Sequence, residues 1–429
     1  MNTFERIVSV LSMAVVCVSC GGGTSSPQPA TQSPPPDPGQ PGVFADETSE
    51  RLPAVSNVAV RAAGGDIDND GDIDIIVTTG PHTGARAAPP EDMVLHINNG
   101  QGVFASEAGS RLPATALGPQ NANAAVFGDV DGDADLDIFV ANGVTAHNAA
   151  GYQDWLWLND GTGNFTDVTA SNLPVNVGHS LDAAFCDVDN DGDLDIFVAV
   201  TDRLGTAGQN RLLINDGAGV FSDETALRLP ALLDISLTIA VEDLDGDGDA
   251  DIVVANRTMG GSKILVNNGT GFFSDLSTER FVSFPPPAGD VVAQDLNGDN
   301  SPDLVFADHI QDSPMVFINS GAGYFIEETN ERTPVFEGSH GIAIADVDQD
   351  GDADMLVTYP GERSRLLIND GSGTFEDASE TNLPVDSVVI RYPEFMDVDS
   401  DGDPDLYLPE SSDGDSNQDL LWINLGRPQ

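Results

Sequence analysis

Positive charge is nearly missing from this chain. Its 429 residues hold 16 Lys and Arg together, with Lys263 the single lysine, against 71 Asp and Glu, for a net charge of −55. So acidic a surface excludes nucleic acid as a partner, because phosphate binding needs a basic face. It also argues against direct adhesion to anionic lipid headgroups. Cysteine is as scarce: Cys17, Cys20 and Cys186 build no disulfide framework, and Cys186 is expected to be a small buried side chain. No segment sustains a 3.6-residue period over 11 residues, so almost no helix is expected. Beyond the N-terminus no apolar run reaches 18 residues, so no other part of the chain would span a membrane. What the chain does have is 40% apolar residues and 45 glycines, a globular composition rather than a disordered acidic one.

The first residues read as an address. Arg6 is followed by an apolar run from Ile7 to Val18, too short to cross a bilayer and typical of a secretory signal. Small residues precede Cys20, and Gly21, Gly22 and Gly23 follow it. This resembles a bacterial lipoprotein signal spanning 1–19, which implies that Cys20 is lipidated as the first mature residue. Residues 20–42 are Ser/Pro/Gln-rich and read as a semi-rigid tether. The expected destination is the outer membrane or cell surface, with the membrane touched only through the lipid.

From residue 43 onward one unit recurs seven times. Asp-rich nonapeptides begin at Asp66, Asp129, Asp187, Asp243, Asp295, Asp346 and Asp397, and such a period marks a solenoid or propeller. Each copy carries apolar runs bounded by Gly, Asn and Asp, which predict four strands, A to D. Strand C ends in Asn98, Asn159, Asn215, Asn267, Asn319, Asn369 or Asn424, followed by a glycine-containing turn of hairpin chemistry. Strand D opens with Phe104, Phe165, Phe221, Phe273, Phe325 or Phe375. The seventh copy ends before its own strand D, and the segment around Phe44 repeats the missing form. An all-β, seven-bladed β-propeller of four-stranded blades is therefore expected over 43–429, its last blade closed by the N-terminal strand, since closure removes exposed edges.

Copy one of the nonapeptide reads Asp66-Ile67-Asp68-Asn69-Asp70-Gly71-Asp72-Ile73-Asp74. The same positions hold Asp129, Asp131, Asp133, Asp135 and Asp137 in copy two, and Asp187, Asp189, Asp191, Asp193 and Asp195 in copy three. They hold Asp243, Asp245, Asp247, Asp249 and Asp251 in copy four, and Asp295, Asn297, Asp299, Ser301 and Asp303 in copy five. Copies six and seven supply Asp346, Asp348, Asp350, Asp352 and Asp354, then Asp397, Asp399, Asp401, Asp403 and Asp405. Carboxylates so crowded repel one another unless a cation sits among them. Hard oxygen donors without His or Cys favour Ca²⁺, and Mg²⁺ less. Positions 1, 3, 5 and 9 would ligate through side chains and position 7 through its carbonyl, with glycine at position 6 permitting the bend. An EF-hand needs Glu at position 12, where this chain has Val77, Val140, Val198, Val254, Phe306, Val357 and Leu408. Copy two, with Ala134 at position 6, and copy five, with fewer acids, depart from the pattern, and copy five is expected to bind more weakly.

These motifs resemble the FG-GAP/VCBS repeat family, whose calcium-binding blades also occur in integrin α-subunit propellers. The resemblance covers 43–429 and implies up to seven Ca²⁺ ions held by the residues above. The A–B loops and C–D turns are expected on one rim and the B–C and D–A loops on the other, so the calcium loops act as structural pins. The B–C loops at 79–92, 143–154, 201–209 and 409–418 are long and neighbour one another around a closed ring. They form the expected recognition surface for an extracellular protein or glycan, presented by a monomer. His82, His147, His179, His309 and His340 fall on or near that face. Arg61, Asp182, Asp290, Arg391 and Tyr392 are assigned to first strands, lining the central channel. A polysaccharide lyase using His179, His340, Arg391 or Tyr392 at the channel mouth is the rival reading. No catalytic residue is assigned, since the chain lacks G-x-S-x-G and H-E-x-x-H.

Overall fold

In a computed structural model, the described residues lie between 43 and 426, leaving out 56–57, 81–92, 117–121, 144–152, 177, 202–206, 258–259, 284–286, 308–312, 336–337, 360–362, 386–387 and 412–417. The signal, the tether and Cys20 fall outside them, as do the central parts of the long B–C loops and His82, His147 and His309.

Seven four-stranded antiparallel sheets are formed, six of them from consecutive strands. Blade one shows the plan: strand A (Ala59–Gly65), strand B (Asp74–Thr79), strand C (Val94–Asn98) and strand D (Phe104–Ser106). Strand B is buried along its whole length, as the unbroken apolar runs require. Blade seven combines Glu394–Met396, Asp405–Leu408 and Leu420–Asn424 with the N-terminal strand Phe44–Asp46. Phe44 pairs with Asn424 and Asp46 with Trp422, so the ring closes as the repeat pattern requires. The core is seven apolar clusters at the seams; one joins Ile76, Leu95 and Met93 of blade one to Phe127, Ile138 and Trp157 of blade two. Cys186 is buried in one of these seams, and burial pushes its thiol up.

Helix is as sparse as expected, confined among the described residues to single turns. After each strand D a single helical turn follows: Thr48–Arg51, Ala108–Arg111, Thr169–Asn172, Thr225–Arg228, Ser277–Arg280, Thr329–Arg332 and Ser379–Asn382. Four residues are too few for a periodic signal, and tertiary contacts hold them instead. In blades two to seven the first residue is Ser or Thr, whose hydroxyl accepts an N–H from strand C, as Thr169 does from Leu156 at 3.0 Å. After six of the seven turns an apolar residue, such as Leu52, Leu112 or Phe281, packs into the seam.

Candidate metal loops and channel mouth

Each Asp-rich loop folds around its own first carboxylate. The Asp66 side chain accepts the N–H groups of Asp70 and Gly71, and all seven copies repeat these bonds at 2.7–3.2 Å. Position 6 takes the left-handed conformation, from Gly71 (φ 94°) to Ala134 (φ 72°), and position 4 does so as well, including Asn69 (φ 60°) and Ser400 (φ 60°). Two left-handed residues turn the chain back on itself, and copy two keeps this path although alanine disfavours it.

Position 9 ties the loop to the blade. Asp74 accepts the N–H of Asn98 on strand C, and its equivalents do the same at 2.7–2.9 Å. Its second oxygen accepts the N–H of position 2. Burial pushes Asp74, Asp137, Asp195, Asp251 and Asp303 up to about 7, and Asp354 and Asp405 up to about 8, although these N–H groups pull the other way. The strand C asparagine then reaches across the seam. Asn159 donates to the carbonyl of Ile67 in the preceding blade's loop, and all seven asparagines repeat this at 2.7–2.9 Å. The loops thus clamp seams as well as bends.

Position 3 carries the clearest mark of a missing partner. One oxygen of Asp68, Asp189, Asp245 and Asp399 faces Arg111 (3.3 Å), Arg228 (3.1 Å), Arg280 (2.8 Å) and Arg51 (3.1 Å), each from the helical turn of the same blade. The other oxygen, Oδ1, is buried with no hydrogen-bond partner in all four and in Asp131. Burial and then the neighbouring position 5 carboxylate push these groups above the usual carboxylate range. The arginines also bond the next blade's C–D turn, as Arg111 bonds Thr162 at 2.6 Å. Sequence reasoning missed them; the recurrent Glu-x-x-x-Arg of Glu47/Arg51, Glu107/Arg111, Glu224/Arg228 and Glu328/Arg332 is the signal they leave, and the pairs meet as i,i+4 ion pairs.

Carboxylate oxygens of Asp66, Asp68 and Asp70 converge within 4.8 Å, as do those of positions 1, 3 and 9 in copies two, three, four and six. Position 7 side chains point elsewhere. Asp135 accepts the amide of Asn69 from the preceding loop at 2.8 Å, and Asp249 that of Asn190 at 2.9 Å. A Cβ on Gly161 would lie 2.6 Å from Asp135 Oδ2, which explains the glycine of the C–D turn. Asp72, Asp193, Asp352 and Asp403 sit against the corresponding glycines, so position 7 is left with only its carbonyl to offer. In copy five Asn297 Oδ1 accepts the N–H of Asp299 at 3.0 Å, Ser301 lies beside Gly321, and the backbone path is unchanged. Converging hard oxygens and an orphaned buried Oδ1 fit a divalent cation, which would neutralise the loop and rigidify it.

The first strands line a central channel, a cavity of about 440 Å³, whose mouth lies at the end of strand A away from the Asp-rich loops. Arg61 Nη1 pairs with Asp182 at 3.0 Å, and its guanidinium lies 3.8 Å from the centre of the Tyr392 ring. Burial opposes the Arg61 charge, but Asp182, Tyr392 and Asp290 outweigh it and raise its pKa. Burial pushes Asp290 up to about 6 against the pull of Arg61. Arg61, Asp182 and Asp290 are on first strands, whereas Arg391 and Tyr392 precede theirs, which begins only at Glu394; this corrects their assignment to a strand. His179 meets Thr201 at 3.1 Å and His340 meets Arg391 at 3.2 Å, two separate pairs.

A model of the FG-GAP-like repeat matches residues 66–140, 144–198, 187–254, 243–306, 295–357 and 348–408. A T-cell immunomodulatory protein of Rattus norvegicus is 21% identical over 254 residues, 56% of this chain and 40% of that one. Cartilage acidic protein 1 of Xenopus tropicalis is 28% identical over 165 residues, 35% of this chain and 25% of that one. The chain thus spans less than half the length of the curated relatives it matches. Among solved structures, BBS1N in complex with ARL6DN superposes with a TM-score of 0.53 at 13% identity, covering 91% of this chain and 99% of that one. The likeness to that structure shows the fold alone.

Proposed function

Because the chain belongs to the FG-GAP repeat family, we propose that it is a calcium-stiffened recognition module, exported and lipid-tethered at a cell surface, that offers its B–C face to another protein or a glycan. The observation that carries this reading is the division of labour between faces. Every Asp-rich loop, seam asparagine and helical-turn arginine acts on the A–B side, so the contacts that the blades repeat are concentrated there, away from the B–C loops that differ from blade to blade. Calcium is the cation the donor set suits best, and extracellular millimolar calcium fills even weak sites. Exposed apolar residues sit on connections between blades, at Val175, Leu233, Val335 and Val385. Neighbouring residues of the first two, Asn176 and Leu232, bond the B–C loop residues Gln153 and Gln209. One relative is named for modulating T cells and another for acidity in cartilage; neither name describes a reaction. No helix among the described residues is long and apolar enough to cross a membrane; the anchor in this reading is the lipid on Cys20.

Two experiments test the reading. Calcium-loaded protein on glycan and extracellular-protein arrays should bind selectively and leave uronic-acid polysaccharides uncleaved. Release of an unsaturated product, abolished by Tyr392→Phe in a folded variant, would make the protein a lyase instead. Cys20→Ala should move the protein out of the membrane fraction; an unchanged distribution would reject the anchor.

A further inference from the structure

One level of the innermost strands brings together charged, hydroxyl-bearing and aromatic side chains. Five residues before the first loop Asp the chain places Arg61, Ala124, Asp182, Thr238, Asp290, Gly341 and Tyr392. Packing of the blades accounts for Gly341, where a Cβ would run into the Arg391 backbone, but it does not ask for the charged residues at this level. Four of these strands are also bulged immediately before this level, between 59 and 61, 122 and 124, 180 and 182, and 236 and 238. Bulges of this kind re-aim a side chain beside a functional site.

At the channel mouth the two carboxylates are already engaged, while two donors are left over. Asp182 accepts Arg61, the N–H of Ala183 and the N–H of Ile239. Asp290 accepts the N–H groups of Val291 and Ile342. By contrast Arg61 Nη2 and the Thr238 hydroxyl, both on residues lining the cavity, are buried without a hydrogen-bond partner. Leaving such groups unpaired is costly. An anion that satisfied Arg61 would sit beside Asp182 and Asp290, and a cation would meet Arg61 itself. A neutral oxygen meets neither objection. The half-buried Tyr392 ring supplies an apolar plane beside these donors, and the small residue Ala124 leaves room. The cavity is within the size range of small-ligand sites.

We propose that the channel mouth binds a neutral, hydroxyl-rich ligand, the uncharged terminal sugar of a glycan, with Arg61 and Thr238 donating to its oxygens and Tyr392 lying beside its ring. This rests on the recognition-module reading and names where a glycan would enter. Saturation-transfer NMR on the full calcium-loaded chain tests it, with glucose, galactose, mannose and N-acetylglucosamine as probes and uronic acids and amino sugars as charged controls. A neutral sugar should bind, and Thr238→Val, which is nearly isosteric, should weaken it by about tenfold. Arg61→Met should abolish binding; should that variant not fold, Thr238→Val decides alone. Binding confined to charged sugars, or to none, overturns the proposal. Binding that Thr238→Val leaves unchanged also overturns it while leaving the recognition module standing, and failure on every glycan and protein array removes both.

Discussion

The two ends of strand A differ in kind. At one end seven Asp-rich loops share a backbone path, a hydrogen-bond pattern and a seam contact, even where Ala134 or Asn300 replaces the glycine of position 6. At the other end seven equivalent positions carry six residue types, from Gly341 to Arg61. Sameness in a repeat protein marks what closure of the ring demands of every blade. Departure marks what only one place needs. The metal loops are therefore read as structure and the channel mouth as function, and the comparison can be broken from either side.

The largest effect should come from removing the cation. A ligand at about 100 times its dissociation constant contributes roughly 2.7 kcal/mol per site, so excess EDTA should lower the melting temperature strongly and calcium should restore it. An unchanged melting curve would strip the loops of their proposed role. In EDTA the sign of the pH dependence is set by the position 9 carboxylates. Asp74 has a folded pKa of about 7 against an ordinary 3.8, so the stability it contributes below about 4 is lost as pH rises through 7. The chelated protein should melt at a lower temperature at pH 8 than at pH 5, and calcium should flatten or reverse that difference. A rise from pH 5 to pH 8 in EDTA would contradict it.

Ring closure comes next. Deleting 43–48 removes Phe44 from its seam and bares the edge at Leu421 to Asn424, at a cost of about 3–5 kcal/mol from the phenylalanine alone. Chemical denaturation and light scattering should report lower stability and self-association. A truncated chain that stays monomeric with an unchanged midpoint would mean the last blade is closed in another way.

A smaller effect separates the blades themselves. Arg228→Gln should cost about 1–2 kcal/mol, because Glu224, Asp189 and the Thr270 carbonyl all lose a charged donor. Asn172→Gln, in a blade where a neutral residue already bonds the Gly219 carbonyl, should cost less than Arg228→Gln. Equal losses would show that the guanidinium adds nothing beyond that bond. The smallest change has the opposite sign: Ala134→Gly relieves a left-handed alanine and should stabilise by about 0.5–1 kcal/mol, measured by urea denaturation. No gain would mean the lost unfolded-state restriction cancels the strain.

Much of this was legible because repeats write the same local instruction many times. One nonapeptide could be an acidic turn; seven in phase, each followed by an apolar strand and an Asn-Gly turn, define blade, strand order and candidate ligands. The closing strand was legible because Phe44 stands in a segment of the same form as that around Phe221. The helical turns were not, since four residues carry no period and are held by hydroxyls such as Thr169 bonding strand C.

Local pattern, then, determined the number of blades, their strands and the acidic loops, because each depends on residues close together in the chain; closure joins Phe44 to Asn424 across the whole chain and could be read only because the repeat was one strand short at its end. Only the tertiary structure decided which way each carboxylate points. Asp72 and Asp135 turn to a C–D glycine, while Asp68 keeps one oxygen for Arg111 and one for the loop's interior. Only the closed ring could bring Arg61, Asp182 and Tyr392 from blades one, three and seven to one mouth. Such contacts join residues far apart in the chain, and a channel wall exists only once all seven first strands stand around a common axis.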